Sequence, residues 1–278
     1  MDLIVFLVVL SAALMHAVWN SIIQSSQNSF LETLNFGVWK IPLTLTLIIL
    51  LPIPHPDSWA YIAASICIHS VYVYALAYTY SKNELTQAYP IFRGSAPLII
   101  LLLSYFILKE NISSIGWLAV IITSIGIISM SIIGNKINFK SSVSISIVAI
   151  AIVSYSMIDG VGARLSMQSF SYLAWVFFIH WSIYSIFIIK QEGYSACINH
   201  LRNNYIKGIF AAGISFLGYG LILWAMTKAP IPYVAALRET SIIFVGIIGY
   251  LYLSEKMTIY KILPLLTIVL GAVLIRLA

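Results

Sequence analysis

Charge is what this sequence has least of. Asp, Glu, Lys and Arg together make up 9% of its 278 residues, against roughly 25% in an ordinary soluble domain. Polar surface that sparse cannot coat a water-soluble globule, and a 61% hydrophobic content also excludes a disordered chain. Acid is scarcer still. Asp occurs only at Asp2, Asp57 and Asp159, so there is no paired-Asp metal motif. There is also no HExxH, no closely spaced Ser–His–Asp grouping and no Gly-rich phosphate loop. These absences argue against an enzyme, including a membrane enzyme acting on lipid or polyprenyl phosphates. Two cysteines, Cys67 and Cys197, make neither a disulfide framework nor a metal site, and no two histidines have metal-ligand spacing. No cofactor and no metal are expected. The 15 Lys and Arg lie mostly singly between apolar runs, which is the pattern of topology signals and not of a nucleic-acid-binding patch.

What the chain has instead is apolar runs of membrane-crossing length, at a mean hydropathy of +0.98. A helix rising about 1.5 Å per residue needs about twenty residues to cross the hydrocarbon core. Ten runs qualify: Leu3–Gln24, Thr33–Leu51, Trp59–Tyr80, Leu85–Leu108, Ile115–Ile133, Val143–Arg164, Tyr172–Lys190, Ile206–Met226, Pro232–Leu253 and Ile259–Leu277. Turn chemistry separates them, as at Pro52, Pro54 and Pro56 or at Ala229-Pro230-Ile231-Pro232. The first run has no Lys or Arg before it, is long for a signal peptide and is followed by no small-residue cleavage site, so it reads as a span. An all-α integral membrane protein with ten transmembrane helices is expected.

Self-comparison divides the chain in two. Ala75–Ile128 set against Gly220–Val273 at a shift of 145 residues, without a gap, brings Tyr74 onto Tyr219, Arg93 onto Arg238, Glu110 onto Glu255 and Gly126 onto Gly271. Further upstream the shift is 139, and His16 and Asn20 fall on Tyr155 and Asp159. Each half, 1–137 and 138–278, then holds five helices. An odd number makes the halves enter the membrane in opposite senses, an inverted repeat whose substrate site is expected between them near the midplane.

Three segments carry a resemblance to a known family: Ala12-Ala13-Leu14-Met15-His16-Ala17-Val18-Trp19-Asn20, Ala88-Tyr89-Pro90-Ile91-Phe92-Arg93-Gly94-Ser95-Ala96-Pro97-Leu98, and Ala235-Ala236-Leu237-Arg238-Glu239-Thr240-Ser241. With these segments the chain resembles one branch of the EamA-type transporters of the drug/metabolite transporter superfamily, over essentially its whole length. The resemblance implies ten helices in two five-helix repeats and a secondary transporter of small metabolites, often an exporter, working by alternating access. It also implies that two fused repeats complete the pathway, so that a monomer suffices. It does not select a cargo.

Charges inside the spans are the strongest site signal, since an Arg or Asp at a helix centre costs roughly 2.5–3.5 kcal/mol on insertion scales. Arg93 and Arg238 are expected to meet on the repeat axis and to hold an anionic group, carboxylate or phosphate. The alternative is a structural pair, with Arg238 neutralised by Glu239 or Asp159. Arg238 and Glu239 are consecutive and project about 100° apart on a helix, so one would face cargo and the other a neighbouring helix. His16, Asn20, Tyr155 and Asp159 form two one-turn pairs at pseudo-symmetric positions, with Trp19 beside His16. Glu239, Asp159 and His16 are the candidates for carrying a coupling proton. Tyr72, Tyr74, Tyr89 and Tyr219 supply hydroxyls or ring faces to a polar cargo, whereas His69 and His180 carry a weaker signal. Pro90 and Pro97 are expected to bend the fourth helix around Arg93.

Two cargoes fit these features. One is a small polar metabolite with an anionic group, amino-acid-like or another carboxylate or phosphate compound. The other is a lipid-linked or drug-like amphiphile carried by the same fold. A count of loop cations, eight on one side against four on the side of the termini, places the termini outside by the positive-inside rule. The expected setting is a bacterial inner membrane.

Overall fold

A computed structural model describes residues 1–24, 26, 28–82, 85–131, 139–253 and 259–278; the side chains at 24, 80–82, 85–92, 131, 139–142, 144, 145, 248–253 and 259–261 are left out of the description. The described chain is helical throughout, without a strand. Its helices are α1 (Leu3–Gln24), α2 (Ser29–Leu50), α3 (Trp59–Lys82), α4 (Leu85–Phe106), α5 (Ser114–Ser131), α6 (Phe139–Leu165), α7 (Ser169–Glu192), α8 (Tyr194–Met226), α9 (Ile231–Arg238), α10 (Ser241–Leu253) and α11 (Ile259–Leu277), with a short 3-10 turn at Pro56–Ser58. Among the described residues, six helical stretches are long and apolar enough to cross a membrane, and three shorter ones are also apolar.

Many large apolar side chains face outward while charged side chains of the helices are buried, which is the reverse of a soluble protein. Ile49 and Leu50 are 74% and 72% exposed, whereas Lys40, Arg93, Asp159, Arg238 and Glu239 are each buried. The protein is an integral, multi-pass membrane protein.

The ends of the helices follow ordinary capping chemistry. Asn28 Oδ1 accepts from the Phe30 and Leu31 amides at 3.0 and 3.1 Å, which starts α2. Gly193, at φ +86°, makes the sharp reversal between α7 and α8. Two elements depart from the sequence reading by more than a few residues at their ends. The expected loop before residue 206 is helical from Tyr194, and the helix kinks at Asn204, the one residue of α8 with non-helical angles. The expected single helix Pro232–Leu253 is broken at Glu239 and Thr240 into α9 and α10. There the amides of Glu239, Thr240, Ile242 and Ile243 bond three residues back, and the Thr240 hydroxyl donates to the Leu237 carbonyl at 2.7 Å. That three-residue pattern and the competing side chain end the α-helical ladder. α4 is one helix through Arg93 and Pro97.

Helix packing pairs the two halves of the chain. The contacts α1–α8 and α3–α6 both occur, as do α2–α8 and α3–α7, and α4–α6 with α1–α9 and α1–α10. The most extensive contact is α5–α11, where Gly126 and Gly271 let the helices close. A Cβ at Gly126 would stand 3.0 Å from the Ile268 nitrogen, and one at Gly271 2.9 Å from the Thr123 nitrogen.

Two sets of ties hold the ends of the bundle. Arg164 on α6 bonds the Met226 and Ala229 carbonyls at 2.7 and 3.0 Å and pairs with Glu110 at 2.6 Å. Glu110 also accepts the Ile231 amide, at 3.1 Å, at the start of α9. Nearby, the His55 amide donates to Ser166 and the Ser171 hydroxyl to Pro52, and Arg276 bonds the Met1 carbonyl. The second set joins Asn28 to Glu192 and Glu32 to His200 and Lys207.

Candidate functional site

The site starts from the break between α9 and α10. Because the helix stops at Arg238, the Glu239 side chain is released from regular spacing. Its carboxylate sits between two guanidiniums, with Oε2 2.9 Å from Arg93 Nε and Oε1 3.4 Å from Arg238 Nε. Glu239 thus turns to Arg93 on the neighbouring α4, while still meeting the Arg238 side chain beside it. Arg238 occupies the last turn of α9, at the negative end of the helix dipole. Glu239 stands just before α10, at the positive end, so each charge is favoured where it lies. Arg93 Nη2 also donates to Ser241 Oγ at 3.5 Å. All three charged side chains are at most 3% exposed.

Beside this triad lies a cavity with about 70 Å³ open to the centres of water molecules. At about 10–15 Å³ for each ordered water, that is room for roughly five. Its walls come from both halves of the chain. From the first come His16 and Trp19 of α1, Phe36 and Lys40 of α2, and His69 and Tyr72 of α3. From the second come Tyr155 of α6, Phe177 and Trp181 of α7, Tyr219 of α8 and Arg238 of α9. Arg238 stands 5.7 Å over the Tyr155 ring.

Behind one wall Asp159 is fully buried. It accepts hydrogen bonds from the Tyr172 hydroxyl at 3.0 Å and from the Tyr219 hydroxyl. His69 Nε2 lies 2.9 Å from Oδ2 of the same carboxylate. His69 in turn stacks on Tyr155 at 4.8 Å and stands 6.0 Å from His180, which meets Ser70 Oγ at 3.0 Å.

The expected residues thus fall into five groups. Arg238, His16, Trp19, Tyr72, Tyr155 and Tyr219 line the cavity. Glu239 and Asp159 do not line it but meet Arg238 and Tyr219, which do, and Arg93 lies one step further back, paired with Glu239. Asn20 is turned to its own helix, donating to the His16 carbonyl at 2.9 Å. Tyr74 lies away from the cavity, 38% exposed and against Phe30 and Phe187. It borders a lateral apolar groove with Val71, Tyr78, Val143, Ile147 and Ile183. The physical reason is helical spacing: residues two apart point about 200° apart, so with Tyr72 inward Tyr74 faces out. The Tyr89 side chain lies outside the described residues.

One residue the sequence reading passed over is Lys40. Its ammonium is 4.1 Å from the Phe36 ring centroid, 4.6 Å from Trp181 and 5.0 Å from Phe177. Such cation–π contacts contribute roughly 0.5–2 kcal/mol each. Gly37, one turn earlier, makes this possible, because a Cβ there would run into the Trp181 ring. The available signal was a lone Lys within the apolar run after Trp39.

No curated protein matches the chain. A solved crystal structure of a protein 14% identical to this one superimposes with a TM-score of 0.73, over 99% of this chain and 96% of that one, so the fold is one already seen. The model of the EamA-like transporter family matches residues 140–277, the half that supplies Asp159, Tyr219, Arg238 and Glu239. The chain belongs to the EamA-like transporter family. As an EamA-like transporter it falls within the drug/metabolite transporter superfamily. Small molecules and membrane lipid are therefore its natural partners, and transport rather than catalysis is its class of activity. Among the described residues of this EamA-like chain, no group of three or more His, Cys, Asp or Glu could hold a metal ion.

Proposed function

We propose that the protein is a secondary active transporter that moves a small polar metabolite with an anionic group across the membrane by alternating access, with protons as the candidate coupling ion. The observation that carries this reading is the cavity at the meeting of both halves, whose described lining holds Arg238 and Lys40 and no carboxylate. Anionic groups are drawn to such a wall, since the low surrounding dielectric strengthens the attraction.

Alternating access needs two related halves, and several features support two inverted five-helix repeats over 1–137 and 138–278. Helix contacts recur in exchanged pairs, with α1–α8 answering α3–α6 and α2–α8 answering α3–α7. The repeat-matched glycines Gly126 and Gly271 sit at one interface, and the repeat-matched arginines share one carboxylate. With α9 and α10 counted as one crossing, the ties at Arg164, His55 and Arg276 fall on the side of the termini, and those at Asn28 and Glu32 on the other. A discontinuous helix beside the site is itself common in transporters of this design. A monomer holds the whole cavity. Asp159, Glu239 and His16, the candidates for carrying the proton, all lie within one contact of it. We place the protein in a bacterial inner membrane with its termini outside, on the cation count.

A second reading has its own observation. The lateral groove between α3, α6 and α7 is apolar and open at the bundle surface, which suits a lipid-linked or drug-like amphiphile. A thermal-shift screen of metabolites on the purified protein, followed by flux of each hit into proteoliposomes under an imposed pH gradient, separates the two. Anionic metabolites should raise Tm and be transported, and Arg238→Gln should abolish that flux in a monodisperse protein. Stabilisation by uncharged amphiphiles alone would overturn the first reading in favour of the second.

A further inference from the structure

We infer that Lys40, not the arginine pair, seats the anionic group of the cargo, and that the cargo is a net monoanion rather than a zwitterion. This rests on the anion-transporter reading above and narrows it.

The argument is a count of partners. Arg93 and Arg238 are both engaged by Glu239, so a cargo anion would have to compete with a carboxylate already in place. Asp159 is engaged by Tyr172, Tyr219 and His69, which leaves no carboxylate at the cavity free to receive a cargo ammonium. Lys40 is different. It is 2% exposed, it lines the cavity, and no carboxylate or other hydrogen-bond acceptor meets its ammonium among the described residues. Its neighbours are three ring faces, which attract a cation but offer no lone pair. A buried ammonium in that state has unused donor capacity, and an anion entering the cavity satisfies it.

Charge points the same way. With histidines neutral and Lys40 protonated, as an anion beside it requires, the buried charged groups at or against the cavity are Lys40, Arg93 and Arg238 and the carboxylates Asp159 and Glu239. Three against two leaves one positive charge, which a single negative charge balances. A zwitterion would leave it unbalanced and bring its own ammonium close to Lys40. The ring-rich walls further fit a cargo whose remaining part is flat and apolar.

Four probes that share a phenyl ring test the inference: phenylacetate as monoanion, phenylalanine as zwitterion, phenethylamine as cation and phenylacetamide as neutral. Binding to the purified full-length protein is read by tryptophan fluorescence and competition. Wild type should prefer phenylacetate to the other three by about tenfold or more. Lys40→Gln should flatten that preference, and Lys40→Arg should keep it. A ligand-free readout guards against loss of fold. Lys40→Met should raise the Tm of the empty protein, because it removes a buried amine that has no acceptor; a marked fall would make Lys40 a structural brace and overturn the inference. If Arg238→Gln flattens the preference and Lys40→Gln does not, the seat is Arg238, and only this inference fails. A preference for phenylalanine overturns the monoanion class. If wild type binds no anion of the series, the anion-transporter reading falls, and this inference with it.

Discussion

Replacing Glu239 with Gln removes the one carboxylate that two buried guanidiniums share, and the structure gives the size of the effect. At N···O separations of 2.9 and 3.4 Å, each pair attracts by about 5–6 kcal/mol at an effective dielectric of about 20. Desolvation of the carboxylate offsets much of that attraction. The measured cost of breaking a buried pair by deleting one partner is about 3–5 kcal/mol, because the other charge is left uncompensated. Here two charges are left, so Glu239→Gln should reach the top of that range, which corresponds to a Tm fall on the order of 10 °C. The double variant Glu239→Gln with Arg93→Met should recover part of the loss, since it removes one stranded cation along with its partner. Unfolding of the detergent-solubilised protein, followed by its 7 tryptophans, checks both. A fall of about 2 °C or less in the single variant, or no recovery in the double, would refute the shared-carboxylate reasoning.

Other outcomes follow from the same geometry. Asp159→Asn leaves at least one of its three donors facing an amide hydrogen, at a cost of about 1–3 kcal/mol. It should also abolish flux driven by a pH gradient while substrate exchange persists, and proton-driven flux at the wild-type rate would remove Asp159 as the proton carrier. Gly271→Leu forces α5 and α11 apart at the Thr123 backbone and should lower stability by about 1–3 kcal/mol or more, read as a shift in the melting curve. For topology, Met167 and Tyr194 are 79% and 70% exposed at opposite ends of the bundle. In a cysteine-free background, Met167→Cys should react with an impermeant maleimide in intact cells and Tyr194→Cys should not; the reverse pattern inverts the orientation. The native Cys197, expected in a loop, is buried within α8 and cannot serve as that probe.

The helices were legible because hydrocarbon thickness sets a length that apolar runs either meet or do not. α1 and α11 carry the expected bounds, and most others differ by a few residues. Arg93, Arg238, Glu239 and Asp159 were legible because a charge in an apolar run stands out. What could not be read was how these charges pair. Asp159 meets His69 across 90 positions of sequence, a contact created by the packing of α3 on α6. The break at Glu239 and Thr240 has neither Gly nor Pro to announce it and comes from hydrogen bonds three residues back together with the charges around it. Lys40 was legible in principle, by the same rule that singled out the arginines, yet nothing in the sequence shows that three rings replace its counterion. Tyr74 could have been set aside beforehand, because it and Tyr72 cannot face the same way on one helix.

The sharing of Glu239 by Arg93 and Arg238 has a consequence for motion. It ties α4 to the junction of α9 and α10 in the middle of the bundle, where separating opposite charges is most expensive. In the proposed alternating-access cycle, the rearrangements that open one mouth and then the other turn about this point without parting it, so that the ion triad acts as a fulcrum. Distances between the two rims should change through the cycle, while a crosslink placed beside the triad should leave it running.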